Sequence, residues 1–407
     1  MRKKLLVLHP HLPYPPSQGA DIRNYHLLRW LADRFEVDLA CFSDDPAPPD
    51  SPIRSMVRHL IVRPFPTRGM AERLISTFFS PKPDMALRLF DQSMLETIVS
   101  AARETDYAAV HVEGIEMVPY GIAAIEELQR RSVKVRLIFD DHNAEYMLQR
   151  SAFLTDARHP LRLPGAIYSL IQWKKLKRYE RAACSLAWKV IAVSRKDAEA
   201  IESLLPGMKV AVIPNGVDVS HYREFRSGTK PSAPTLVFTG KMDYRPNVDA
   251  MLWFTSEIWP HVRREFPNAR LLIVGQKPHP KLAELAEMPR IELTGFVPDV
   301  RPFVASADVF VVPLRMGSGT RLKILQAMAM GKAIASTEVG AEGLGVTNGE
   351  ELLLADDPRA FAQAVIDLLK DDSLRERLGK SAQDFVARHF DWSVIVPKLE
   401  EVYEGIL

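Results

Sequence analysis

Gly317-Ser318-Gly319-Thr320-Arg321-Leu322-Lys323-Ile324-Leu325-Gln326-Ala327-Met328-Ala329-Met330-Gly331 follows the largely apolar run Ala307-Asp308-Val309-Phe310-Val311-Val312-Pro313-Leu314. The order reads as a buried strand, a glycine turn and a helix closed by a glycine. Thr320 is placed to cap the helix, and Gly317 and Gly319 let backbone N–H groups approach a ligand closely. A helix N-terminus favours an anion, and Arg321 and Lys323 add two cations beside it. The stretch is therefore a candidate site for a phosphate-bearing ligand, although the same pattern also serves as a plain connection in α/β proteins.

Outward from this stretch the pattern repeats. Strands are expected at Thr235 to Thr239, Arg270 to Val274, Ile291 to Thr294, Val309 to Val312 and Ala333 to Ser336, with helices such as Asp249 to Glu265 between them. Five β–α units after a linker at Arg223 to Pro234 make a doubly wound domain, closed by amphipathic helices at Ala360 to Leu369 and Leu374 to Ala387. The first half opens in the same way. Lys4 to His9 reads as a strand, the proline-rich loop to Gly19 leads into a helix at Asp21 to Arg34, and Glu36 to Phe42 alternates like a strand. Residues 44–66 are proline-rich and show no clear period. Further strands are expected at Ala108 to Val112, Val135 to Phe139 and Val190 to Val193. They run into His111 and Glu113, into Asp140-Asp141-His142-Asn143-Ala144-Glu145, and into Ser194-Arg195-Lys196-Asp197. Polar clusters at successive strand ends suggest one ligand-binding edge.

The 407 residues suffice for about two domains, and a 47% apolar, 26% charged composition is that of a globular protein. A net charge of +2 argues against a nucleic-acid partner. Cys41 and Cys184 have no metal-ligand spacing near them and read as buried thiols in a reducing compartment. The apolar run Leu5-Leu6-Val7-Leu8 is too short for an export signal or a membrane span, so a cytoplasmic protein is expected. Residues 158–181 carry seven Lys or Arg and the single acid Glu180, interleaved with apolar and aromatic residues. Such a helix can lie on the anionic inner face of a membrane. The simpler reading is a surface helix with its apolar side in the core.

Several words occur in order along nearly the whole chain: Pro13-Tyr14-Pro15-Pro16 with Gly19 and Arg23, Asp141-His142-Asn143-Ala144-Glu145, Ile191-Ala192-Val193-Ser194, Ile213-Pro214-Asn215-Gly216-Val217-Asp218, Phe238-Thr239-Gly240-Lys241-Met242-Asp243, Leu293-Thr294-Gly295-Phe296-Val297 and Leu325 to Gly331. Together they resemble the retaining glycosyltransferases of the GT-B fold, family four, of the glycosyltransferase group 1 type. The resemblance implies an α/β protein of two Rossmann-like doubly wound domains facing a central cleft. An N-terminal domain, 1–208, would bind the acceptor, a C-terminal domain, 209–388, the nucleotide-sugar, and a terminal helix, 389–407, would cross back. It implies a metal-independent transferase with no cofactor, moving a sugar from a nucleoside diphosphate donor to a glycan or lipid-linked acceptor, in cell-envelope or exopolysaccharide synthesis.

Carried over residue by residue, the resemblance places Gly19, Asn215, Gly240, Lys241, Phe296, Val297, Gly317, Ser318, Gly319, Thr320, Arg321, Lys323 and Gln326 around the donor, with Lys241, Arg321 and Lys323 as the cations at its diphosphate. Arg23 and Glu145 would contact the acceptor. His142 matches a histidine at the sugar end, preferred over His111 and Glu113, because a histidine inside Val110-His111-Val112 equally reads as a core residue. The pattern departs at Ser318 and Gln326, which stand where relatives usually carry two glutamates eight positions apart. Two non-transferring alternatives follow, a nucleotide-sugar or glycan binding protein and a nucleotide-sugar epimerase. The words at 214–218 and 326–331 favour the transferase.

Overall fold

A computed structural model of the chain describes residues 2–16, 19–45, 51–157, 163–225, 232–317 and 322–407. The chain forms two units, Met1–Pro214 with Val396–Leu407, and Asn215–Ile395.

The first unit is built on seven strands: β1 (Lys4–His9), β2 (Glu36–Phe42), β3 (His59–Arg63), β4 (Ala109–Glu113), β5 (Arg136–Asp140), β6 (Lys189–Ala192) and β7 (Val210–Val212). All pairings are parallel, in the order β3-β2-β1-β4-β5-β6-β7. Leu5 to Leu8 are wholly buried, as a central strand covered on both faces requires. The second unit carries β8 (Thr235–Thr239), β9 (Arg270–Val274), β10 (Ile291–Leu293), β11 (Val309–Val312), β12 (Ala333–Ser336) and the two-residue β13 (Leu353–Leu354), all parallel in the order β10-β9-β8-β11-β12-β13. The strand order reverses between β1 and β4 in one sheet and between β8 and β11 in the other. Open parallel sheets bind ligands at the carboxyl ends of the strands beside such a reversal.

The structure differs from the sequence reading at the boundaries. Val210 to Val212, assigned above to the second domain, pair with β6 in the first sheet, Val190 opposite Val210. Backbone pairing therefore carries the first unit to Pro214 rather than 208. Trp392–Ile395 stays with the second unit, where Asp391 bridges to Val217. Only Val396 onward returns to the first, with the Tyr403 ring 5.8 Å from Trp30 and 5.5 Å from Phe35. β3 lies in the proline-rich stretch that showed no period. It is a half-buried edge strand, where neither alternation nor a continuous apolar run is demanded.

The basic stretch is a helix from Leu163 to Leu186, with Arg158 and Arg162 outside the described residues. It buries Leu176, Ala183 and Cys184, as the simpler reading expected. Its single acid is also buried. Glu180 accepts the backbone N–H groups of Glu145 and Tyr146, each at 2.8 Å, and so caps the helix Glu145–Asp156.

Candidate functional site

In the first unit the register of three adjacent strands assembles a buried polar cluster. Leu8 pairs with Val112 and Glu113 with Asp140, so His9, Glu113 and Asp140 stand side by side where β1, β4 and β5 end. Glu113 sits between two histidines, its Oε2 3.2 Å from His9 Nε2 and its Oε1 3.3 Å from His142 Nε2, and it accepts a hydrogen bond from Asn24. Asp140 pairs with Arg23 at 2.9 Å, and Arg23 also donates to the carbonyl of Ile213 at 2.7 Å. Arg23, expected at the acceptor, is thus a buried strut that holds the cluster together.

Exposure separates the members. His9, His111, Glu113 and Asp140 are at most 2% exposed, whereas the His142 side chain keeps 19%. His142 also holds φ at 43°, a left-handed conformation costly for a residue with a Cβ. Its Nε2 has no well-formed hydrogen bond among the described residues. His111 is instead a core residue, its Nδ1 2.8 Å from the Tyr403 hydroxyl and its ring stacked on that of Tyr403.

The electrostatics follow from burial. Burial, then the neighbouring Asp140 charge, pushes Glu113 well above the usual carboxylate range. Burial opposes ionisation of Asp140 too, but Arg23 and the histidines outweigh it and hold its pKa low. Burial lowers His142 to about 4, so its imidazole is neutral. Glu145 is raised to about 7, chiefly by burial. His142 is thus a neutral, partly accessible imidazole beside a buried carboxyl, able to exchange hydrogen bonds with hydroxyl groups.

In the second unit β8 runs into Gly240 and Lys241. A Cβ on Gly240 would fall 2.7 Å from Asn247 Nδ2 and 2.8 Å from Lys323 Nζ, and one on Gly275 would fall 1.7 Å from the Gly240 carbonyl oxygen. Only glycine permits these approaches. Lys323, on the helix Leu322–Ala329 after β11, donates to Asn247 Oδ1 at 2.9 Å and lies 4.0 Å over the Phe238 ring. Asn247 Nδ2 in turn donates to the Lys241 carbonyl at 2.9 Å, while the Lys241 side chain is exposed. The sheet reversal is thereby lined by the Gly240 turn, Lys241 and Lys323.

Gln326, about one turn into the helix Leu322–Ala329, donates from Nε2 to the Tyr222 hydroxyl at 2.7 Å. Burial pushes that phenol up to about 12. Phe296 is exposed, Val297 partly buried, and Gly317 has φ 113°. Asn215 begins this unit, with its Oδ1 buried and unbonded among the described residues. In the first unit Gly19 opens the helix Gly19–Arg34. Ser318, Gly319, Thr320 and Arg321 lie outside the described residues.

Sequence reasoning missed His9, Asn24, Asn247 and Tyr222. His9 carried a signal, as the polar residue ending the first apolar run. The other three lie on helices whose periodicity says nothing about ligands. Among the described residues no group of three or more His, Cys, Asp or Glu is arranged to hold a metal ion, and no helix is long and apolar enough to cross a membrane.

Two Rossmann-like parallel sheets in succession, each with polar groups at the strand ends beside its reversal, define the GT-B class of glycosyltransferase folds. The chain belongs to Glycosyltransferase Family 4, whose model matches residues 17–221, and residues 233–371 match the Glycosyl transferases group 1 model. It is 30% identical over 208 residues to a phosphatidyl-myo-inositol mannosyltransferase of Mycolicibacterium smegmatis, an alignment covering 49% of this chain and 53% of the relative. The match thus spans about half the length of that relative. In three dimensions it is similar to sucrose-phosphate synthase from Thermosynechococcus elongatus, with a TM-score of 0.69 at 19% identity over 100% of this chain and 99% of that one. It is also similar to Anabaena HepE in complex with UDP and glucose, with a TM-score of 0.66 at 16% identity over 99% and 100% of the two chains.

Proposed function

We propose that the chain transfers a sugar from a nucleoside diphosphate-sugar to a glycan or lipid-linked acceptor, with retention of anomeric configuration and without a metal ion, in cell-envelope or exopolysaccharide synthesis. The second unit binds the donor and the first the acceptor. The observation that carries this reading is the Gly240–Lys241–Asn247–Lys323 constellation at the reversal of the second sheet. A departing nucleoside diphosphate gains negative charge as the glycosidic bond breaks, and fixed cations beside closely approaching backbone stabilise it. Arg321 supplies a further cation. His142 orients the sugar or the acceptor hydroxyl as a neutral hydrogen-bonding group.

Two comparisons support the reading: HepE, of like fold, holds UDP and glucose, and the mycobacterial relative is named for a mannosyl transfer to a phosphatidylinositol. The test incubates the purified chain and a chelator with UDP-, GDP- and ADP-sugars and an extracted lipid and glycan panel, with products followed by mass spectrometry and their anomeric configuration by NMR. A new glycoside of retained configuration is expected. An epimerised free nucleotide-sugar, or tight donor binding with no product across the panel, replaces the transferase reading.

A further inference from the structure

The segment Asp141 to Ala144, which carries His142, joins β5 to the helix Glu145–Asp156. Its backbone is held at several points. The Asp141 N–H donates to the Ile191 carbonyl at 3.0 Å, the His142 carbonyl accepts from the Val193 N–H at 2.9 Å, and the Ala144 N–H donates to Asp197 Oδ1 at 3.2 Å. Glu180 then takes the Glu145 and Tyr146 amides. One group of the segment has no such partner. The Asp141 side chain is 1% exposed, and neither of its oxygens meets a hydrogen-bond donor among the described residues.

The groups that face Asp141 are acids. The Glu180 carboxyl is within hydrogen-bonding reach, and the charges of Glu145 and Asp140 lie further off. Asp140 is paired with Arg23 and faces His142 and His111, while Glu145 faces Arg88 and Asp197. Cys184, one turn along the helix from Glu180, lies against both acids, and burial pushes its thiol up. An ionised carboxylate buried without a donor is so costly that such a group takes up a proton instead. Protonated, Asp141 becomes a donor, and Glu180 is the acceptor in front of it. Glu180 has room for this bond, because each carboxylate oxygen carries two lone pairs and the two amides occupy one apiece. Burial, followed by the Glu180 charge, raises Asp141 well above the usual carboxylate range, and burial raises Glu180 too, as a pair that keeps one proton requires.

We propose that Asp141 and Glu180 share one proton and are thereby positioning residues for His142, tying its segment to the helix Leu163–Leu186. The inference rests on the reading of His142 as the group that orients the sugar or the acceptor hydroxyl. With the proton, the pair is a hydrogen bond. Without it, two buried carboxylates repel each other beside Glu145, and the start of the helix Glu145–Asp156 is pushed away. His142 follows Asp141 directly and holds a left-handed backbone that only its surroundings maintain, so its ring then leaves its place beside Glu113. Transfer is switched down as the solution turns alkaline.

The test begins with infrared difference spectra of the parent against Asp141→Asn, whose amide donates to Glu180 without titrating. A protonated-carboxyl band is expected in the parent, lost as the pH is raised through about 8, the value to which burial pushes Glu180. Over the same rise, hydrogen exchange at Asp141 to Tyr146, corrected for its intrinsic dependence on pH, is expected to quicken about tenfold or more in the parent and to stay level in Asp141→Asn. In transfer assays Asp141→Leu, which takes the donor from Glu180, is expected to lower kcat about 10- to 100-fold with KM for the donor unchanged, and Asp141→Asn to recover most of that rate. An absent band, or exchange that rises equally in both proteins, overturns the shared proton, and this arm decides whether or not Asp141→Leu folds. A parental kcat in Asp141→Leu, with the band present, overturns the positioning. His142→Ala is measured alongside: a parental rate there overturns the role of His142 and the positioning with it, while the band and the exchange still report the proton.

Discussion

Asn247 Oδ1 accepts the Lys323 ammonium at 2.9 Å, so the helix after β8 and the helix after β11 are tied across the reversal of the second sheet. The same amide donates to the Lys241 carbonyl, so one side chain sets both the glycine turn and the neighbouring cation. Lys241→Ala and Arg321→Ala are expected to lower sugar transfer by about 10²–10³ each while leaving the melting temperature unchanged. Asn247→Ala, which leaves Lys323 without this oxygen, is expected to cost about tenfold. If Lys241→Ala and Arg321→Ala both transfer at the parental rate, the diphosphate assignment is wrong.

Gln326 makes its hydrogen bond to Tyr222 as a donor. A glutamate there can accept from the same phenol and would offer a charged oxygen to ribose hydroxyls. Gln326→Glu is expected to tighten nucleotide binding about tenfold, the gap between a neutral and a charge-assisted hydrogen bond. Calorimetry with UDP and GDP measures it, and equal or weaker affinity removes Gln326 from the ribose.

Gly275→Ala places a methyl group 1.7 Å from the Gly240 carbonyl oxygen, which is backbone and cannot swing away. The turn before Lys241 has to move. A loss of stability of about 1–3 kcal/mol is expected, read by urea unfolding, together with loss of nucleotide binding by the protein that remains folded.

His142 titrates near 4 when folded against an ordinary 6.5. Below pH 6.5 the unfolded chain takes up a proton that the folded chain refuses, so this histidine's contribution is whole above 6.5 and is lost as pH falls toward 4. His142→Asn removes the titration and tolerates the left-handed backbone. Relative to that variant, the parent is expected to lose about 1.4 kcal/mol per pH unit across this window and nothing further above it. A pH-independent difference in urea unfolding contradicts the assignment.

Glu180→Ala leaves two backbone N–H groups at the start of Glu145–Asp156 without their acceptor. A loss of about 2–6 kcal/mol is expected, since each of the two buried unsatisfied donors costs roughly 1–3 kcal/mol. Thermal unfolding reads it directly. An unchanged melting point would show that water replaces the cap.

The central strands were legible because a strand buried on both faces must be apolar throughout, as Leu5 to Leu8 and Val309 to Val312 are. β3 and the pairing of β7 were not. A half-buried edge strand obeys no strict pattern, and a three-residue strand joins whichever sheet edge lies nearest. At the candidate sites, the glycine and cation at Gly240-Lys241 were marked only by the family resemblance of the word Phe238 to Asp243, and Asn247 was not marked at all, being one polar residue on an ordinary helix.

By itself the sequence determined two parallel α/β sheets and the edges of them that carry polar groups, because strand and helix periods are local properties readable within a dozen residues. Only the tertiary structure decided that Glu113 lies between His9 and His142, since sheet order alone brings together strand ends a hundred residues apart. It also decided that His111 belongs to the core and Glu180 to a helix cap, and that the helix Met70–Phe79 turns its apolar face outward. Periodicity shows that a helix has an apolar side; what that side faces is settled by where the polar side finds its partners.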